Sequence, residues 1–99
     1  GGITELIRIS ALADAHKALM VPHGSGPYSY HFVCTRQNSP FTELIMNAPK
    51  ADHVLPAFHP LLLDEPVPEN GKLKVSALDG PGFGVRLNPE SRLHRPYDH

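Results

Sequence analysis

Two side chains stand out for what they could do to a substrate. His23 follows the apolar run Leu19-Met20-Val21 and Pro22, and it precedes Gly24-Ser25-Gly26. It therefore sits where a buried strand gives way to a glycine-bearing loop, the place at which α/β folds with parallel strands present catalytic side chains. An imidazole there can take a proton from carbon and return it to a leaving group near neutral pH. From position alone, a structural or solvent-facing histidine is the commoner outcome. Glu43 lies inside the apolar run spanning residues 41–46. A carboxylate is costly to bury, so it must be paired, exposed or used. On a strand beside that of His23 it could hydrogen-bond or protonate an oxyanion on the opposite side of a bound acid. The alternative is a solvated or salt-bridged strand residue.

Other chemistry-bearing residues fit a site less well. Seven histidines invite a metal, yet His16 and His23 lie seven apart across a helix end, and His53 and His59 six apart in proline-rich chain. Neither spacing gives the i, i+4 pair of a helical zinc site, so an independent histidine-rich metal binder ranks lowest among the readings. The segment Gly80-Pro81-Gly82-Phe83-Gly84 is followed by Val85-Arg86-Leu87-Asn88-Pro89. A dinucleotide loop needs a preceding strand and a following helix, so a turn-rich loop is expected instead. Cys34 falls within a short helix, where a small hydrophobe is the default and a nucleophile would need a base and an exposed thiolate.

The elements that must position these groups follow from periodicity. Residues 3–19 place apolar side chains at helical spacing among alanines, which predicts a helix capped by Thr4 or the residues just before it. Residues 19–21, ended by Pro22 and Gly24, predict a buried strand. Tyr28, His31, Phe32 and Thr35 recur three and four apart, predicting a short helix over residues 28–35. Pro40 breaks it, and residues 41–46 predict a second strand. Beyond Asn47, prolines at 49, 56, 60, 66 and 68 deny long elements. Glu69-Asn70-Gly71-Lys72, flanked by Val67, Leu73 and Val75, predicts a small hairpin around a type I′ turn. Residues 95–99 are expected to fray. Two strands joined through a helix make half of a βαβ argument, and parallel strands are normally covered on both faces. A closed barrel needs about 250 residues, so the sheet is either tiny or part of something larger.

Composition narrows the partners. Nine Lys plus Arg against 10 Asp plus Glu, scattered along 99 residues at a net charge of −1, give no electrostatic case for nucleic acid or an anionic membrane surface. No apolar run approaches the roughly 18 residues a bilayer span requires, and no charged-then-apolar leader opens the sequence. A single cysteine, Cys34, cannot form an internal disulfide, which suits a reducing, cytoplasmic setting.

Several motifs together carry a resemblance. Gly1-Gly2-Ile3-Thr4-Glu5, the alanine-rich helix ending in Ala13-Asp14-Ala15-His16, and Val21-Pro22-His23-Gly24 resemble the seventh unit of an enolase-superfamily barrel, mandelate-racemase branch. His23-Gly24-Ser25 through Tyr28-Ser29-Tyr30-His31-Phe32, then Asn38-Ser39-Pro40-Phe41 with Glu43, and Leu61-Leu62-Leu63-Asp64-Glu65-Pro66 are similar to the L-rhamnonate dehydratase family within that branch. Pro81-Gly82-Phe83-Gly84-Val85 resembles the segment that returns from the barrel to an N-terminal capping domain. Nearly the whole chain is covered.

The resemblance implies an α/β fold: a partial (β/α) barrel containing its last two strand-helix units in residues 1–46, then an irregular closing segment with a small hairpin in residues 47–99. It implies a lyase, a Mg-dependent hydro-lyase that converts L-rhamnonate to 2-keto-3-deoxy-L-rhamnonate and water by α-proton abstraction and β-elimination. His23 matches the general base, which also assists hydroxide departure. Glu43 matches the residue expected to contact the substrate carboxylate and stabilise the enolate. Ser25 and Tyr28 are expected to line the substrate pocket. Mg is bound in this family by carboxylates on earlier strands, and Asp14, Asp52, Asp64 and Asp79 do not match them, so no metal ligand is expected in this chain. The implied partners are a small-molecule acid sugar, the remainder of the barrel and capping domain, and further copies of the complete protein in a homo-oligomer. The 99 residues alone are expected to be inactive. The rival expectation is a truncated or split product acting only as a structural or interaction module.

Overall fold

The computed structural model describes residues 1–24 and 26–91; Ser25 and the end expected to fray lie outside the described residues. Helix α1 spans Gly2–Ala15 with Gly1 as N-cap. Thr4 thus falls inside the helix rather than at its start. Glu5 in the first turn faces the positive end of the helix dipole and pairs with Arg8 at 2.6 Å. The helix stops four residues short of the expected Leu19. Ala18 N–H donates to Ala13 O at 2.8 Å and Lys17 N–H to Asp14 O at 2.9 Å, with Lys17 at φ 55°. This is the double carbonyl closure that usually recruits glycine. A lysine fills it here, so the stop leaves no compositional mark.

Helix α2 spans Pro27–Val33, one residue earlier at its start and two shorter at its end than expected, with Gly26 as N-cap. Proline at the first position costs nothing, because that N–H has no intrahelical partner. Gly26 has φ 147°, and a Cβ there would lie 2.7 Å from Phe58 Cε2. Glycine is therefore required twice over, by backbone conformation and by contact.

The expected parallel strands need correction. Residues 19–21 and 41–46 join no ladder among the described residues. A strand exists through its hydrogen-bonded neighbours, and the bond that Met20 N–H makes, at 2.8 Å, goes to Asn38 O, ahead of the 41–46 segment. The observed sheet lies elsewhere. Strands β1 (Leu62–Leu63) and β2 (Arg86–Leu87) pair antiparallel, Leu62 opposite Leu87 and Leu63 opposite Arg86, and Arg86 Nε donates to Asp64 at 2.8 Å. Neither segment is expected as a strand from the sequence: Leu62 and Leu63 are only half-buried, and their partner directly follows the glycine-rich stretch.

The Asn-Gly turn forms as its chemistry dictates. Asn70 and Gly71 have φ 51° and 73°, and Glu69 and Lys72 exchange backbone bonds of 2.8 and 3.0 Å, the geometry of a two-residue primed turn. The hairpin ends at that single bridge, because Val75–Leu78 coils into a 3-10 helix instead of extending the second strand. The buried apolar core comprises Tyr30 and Phe32 of α2, Leu78 of the 3-10 helix and Ala48. Helix α1 packs against α2, and α2 thereby anchors the loop that bears His23. No helix among the described residues is long and apolar enough to cross a membrane.

Candidate active site

His23 and Glu43 come together although 20 residues separate them. The chain after α1 delivers His23 to the segment leading into α2, and the chain after Pro40 brings Glu43 beside it. His23 Nδ1 lies 3.2 Å from Glu43 Oε1 and 3.1 Å from Oε2. The Gly24 amide donates to Glu43 Oε2 at 2.5 Å. The carboxylate is thus grasped by a backbone N–H and an imidazole from consecutive residues. The Gly24 amide first, and the His23 ring after it, hold Glu43 below the ordinary carboxylate range, while partial desolvation pulls the other way. Glu43 is therefore an anion at neutral pH.

That anion has a consequence for the imidazole. A neutral histidine that donates Nδ1–H to a carboxylate keeps its lone pair on Nε2. The His23 side chain is 90% exposed and that of Glu43 36%, so the acceptor nitrogen belongs to the accessible partner and the carboxylate sits behind it. A groove of about 680 Å³ opens beside His23, lined also by Tyr28, Ser29, Phe83 and the α1 residues Ile3 and Leu6.

Of the residues singled out in the sequence, the structure brings His23 and Tyr28 to this groove and Glu43 to His23, while Ser25 lies outside the described residues. Tyr28 is exposed, and its ring lies 6.4 Å from that of Phe58. Glu43 does not line the groove; it touches His23 directly instead of facing it across a gap. Phe83, read in the sequence only as part of the closing segment, also lines the groove. Its carbonyl lies 2.9 Å from His31 Nε2, which donates to it, and its ring meets the His31 ring edge-on at 5.8 Å. No local pattern links positions 31 and 83. The histidine at the end of α2 and the aromatic amid glycines were each visible, but their pairing is a long-range event.

A resident divalent ion does not fit the described residues. Among them no group of three or more His, Cys, Asp or Glu side chains could hold a metal. His23 and Glu43 offer one nitrogen and one carboxylate, where Mg prefers about six oxygens in an octahedron. Cys34 is exposed, and its thiol donates to His31 O at 3.2 Å, a bond to a carbonyl that does not activate it.

Comparison with known proteins now decides the family. The family model described as enolase C-terminal domain-like matches residues 1–91. This chain belongs to the enolase C-terminal domain-like family. Within it, the chain is 69% identical over 99 residues to an L-rhamnonate dehydratase of Saccharopolyspora erythraea, a match covering all of this chain and 25% of that protein. The crystal structure of L-rhamnonate dehydratase from Gibberella zeae superposes with a TM-score of 0.84 at 50% identity, covering 90% of this chain and 23% of that one. A second structure, of rhamnonate dehydratase from the same organism complexed with Mg, gives the same TM-score and identity and is covered to 22%. The chain spans about a quarter of the length of these enolase C-terminal domain-like relatives. Its coarse architecture is accordingly that of part of a (β/α) barrel, with two helices and a small antiparallel sheet described here.

Proposed function

We propose that this chain is the base-bearing segment of a hydro-lyase that dehydrates an acid sugar, L-rhamnonate being the substrate suggested by its relatives. The observation that carries the reading is the contact of His23 Nδ1 with Glu43, which leaves Nε2 as the lone-pair nitrogen on an exposed ring beside a groove. In the proposed reaction, His23 Nε2 takes the proton from the carbon next to the substrate carboxylate. The C–H electrons pass into an enolate, which expels the neighbouring hydroxyl. The proton held by His23 joins that hydroxyl to give water, and the resulting enol becomes the 2-keto-3-deoxy acid.

Glu43 serves this reaction first through His23, by fixing the ring and offsetting the charge it gains on protonation. Its expected contact with the substrate carboxylate and enolate requires the carboxyl to release Gly24 and accept a proton. An anionic substrate nearby would favour both, since like charge disfavours the ionised form. Tyr28 walls the groove, and Ser25 is assigned with it to substrate binding. The Mg of the related structure finds no fitting ligand set among the described residues, so a Mg-dependent reaction requires carboxylates from elsewhere in a complete enzyme. We further assign residues 1–46 to the site-bearing end of the barrel and residues 47–99 to its closing segment. The complete protein is taken to be a cytoplasmic homo-oligomer.

A graft tests the reading. Placing this chain in the Saccharopolyspora L-rhamnonate dehydratase, in place of the quarter it matches, should give a folded enzyme that dehydrates L-rhamnonate when supplied with Mg. A graft that folds and binds Mg but leaves L-rhamnonate intact would favour the rival structural-module reading.

A further inference from the structure

The contact between His23 and Glu43 depends on the register of two segments that share little regular pairing. Displacing an extended chain by one residue moves its side chains by about 3.3 Å, more than enough to abolish a contact of 3.1 Å. Some feature must therefore pin residues 19–23 against residues 39–43. Asn38 occupies the place where such a pin would act, five residues past Val33 at the end of α2 and five residues before Glu43. Its backbone carbonyl accepts from Met20 N–H at 2.8 Å. Its side-chain Nδ2 donates to Ser10 O at 3.0 Å and to Ala18 O at 3.5 Å. Its Oδ1 accepts from Ser10 Oγ at 2.9 Å.

We infer that Asn38, clasped by Ser10 of α1, is a positioning residue that sets the register of the His23 and Glu43 segments. The chemistry of the clasp requires this pair. Ser10 and Asn38 are 2% and 9% exposed, so each polar atom must find a partner within the protein. Serine in the middle of a helix is a mediocre helix former, and here its hydroxyl supplies the donor that Asn38 Oδ1 needs. Both amide hydrogens of Asn38 go to backbone carbonyls, one inside α1 and one in the chain leaving it. An aspartate of the same shape would have no hydrogens to give and would set a negative charge against both carbonyls. One side chain thus ties α1 to the segment approaching His23, while its own backbone leads into the segment carrying Glu43.

The catalytic meaning of the clasp rests on the function proposed above, but its test does not use activity. The Gly24 amide donates to Glu43, so its proton resonance, followed by NMR through an acid titration of the full chain, reports both the contact and the midpoint of Glu43. In the native chain that midpoint should lie below 4.5, the ordinary value. In Ser10→Ala and Asn38→Asp the Gly24 resonance should move towards that of an unbonded amide and the midpoint rise towards 4.5. Thr35→Ala is the control. It removes the 2.7 Å bond from Thr35 Oγ1 to Phe32 O, and it should lower the urea midpoint while leaving Gly24 unmoved. If Ser10→Ala and Asn38→Asp likewise reduce stability without moving the Gly24 resonance or its titration, the clasp is only a structural bond and the inference fails. Should Asn38→Asp not fold, Ser10→Ala decides alone, because it keeps the backbone bond between Met20 and Asn38.

Discussion

Glu43 owes its charge to its neighbours, and that dependence has a sign. Its folded-state titration is depressed by the Gly24 amide and by His23, so its contribution to stability is present above the ordinary carboxylate value and is lost as pH falls through the depressed one. Glu65 runs the other way. Burial raises it against the opposing pull of the Phe58 amide and His59, so its contribution is complete at low pH and is lost as pH rises through its raised value. Urea midpoints recorded across acid pH should show the two slopes separately: Glu43→Gln flattens the fall towards low pH, and Glu65→Gln flattens the decline on the other side. At this scale the sequence was informative about His23 and Glu43, because each sits in a run whose apolar neighbours make a polar group conspicuous. It was silent about the place of Phe83 at the groove and about the Ser10–Asn38 clasp, since a phenylalanine among glycines, a serine in a helix and an asparagine before Ser39-Pro40 are each ordinary until the chain folds them together.

Among the elements, α2 holds the site in place and should be the most sensitive to change. Phe32 and Tyr30 form much of the small apolar core, so Phe32→Ala is expected to cost about 3–5 kcal/mol, a large share of the roughly 5–15 kcal/mol available to a domain. Gly26→Ala forces a side chain into a backbone conformation that disfavours it and against the Phe58 ring. It should cost more than about 1 kcal/mol. Both losses are measurable as shifts in the denaturation midpoint, and an unchanged Gly26→Ala midpoint would show that the loop adjusts freely. Both helices were legible from their spacing, and the Asn-Gly turn from its residue types. The end of α1 was not, because Lys17 adopts a conformation that composition associates with glycine. The strands expected at residues 19–21 and 41–46 misled for a different reason: periodicity marks a segment fit to be extended and covered, whereas pairing depends on which neighbours reach it.

The whole molecule exposes more apolar surface than a closed fold would. Its accessible area is 7648 Å², against about 5,500 Å² for a compact monomer of this mass, and its radius of gyration is 15.4 Å, against about 13 Å. The segments bearing the site contribute directly, with Leu19 71% and Phe41 69% exposed. In relatives four times as long, further chain is available to cover these faces. An apolar fluorescent dye should therefore brighten with the 99-residue chain and stay dim with the graft. Dye binding equal in both would mean that the faces remain open in the larger protein. The sequence foresaw this lack of cover from the small number of elements, but only comparison with longer relatives could say what surrounds them. The most direct test of the central claim is the effect of His23→Asn in the graft, measured as turnover of L-rhamnonate and as exchange of its α-proton in deuterated water. Removing the base should cut both by at least about 10²-fold with Mg binding unchanged; undiminished turnover and exchange would contradict the assignment of His23 as the base.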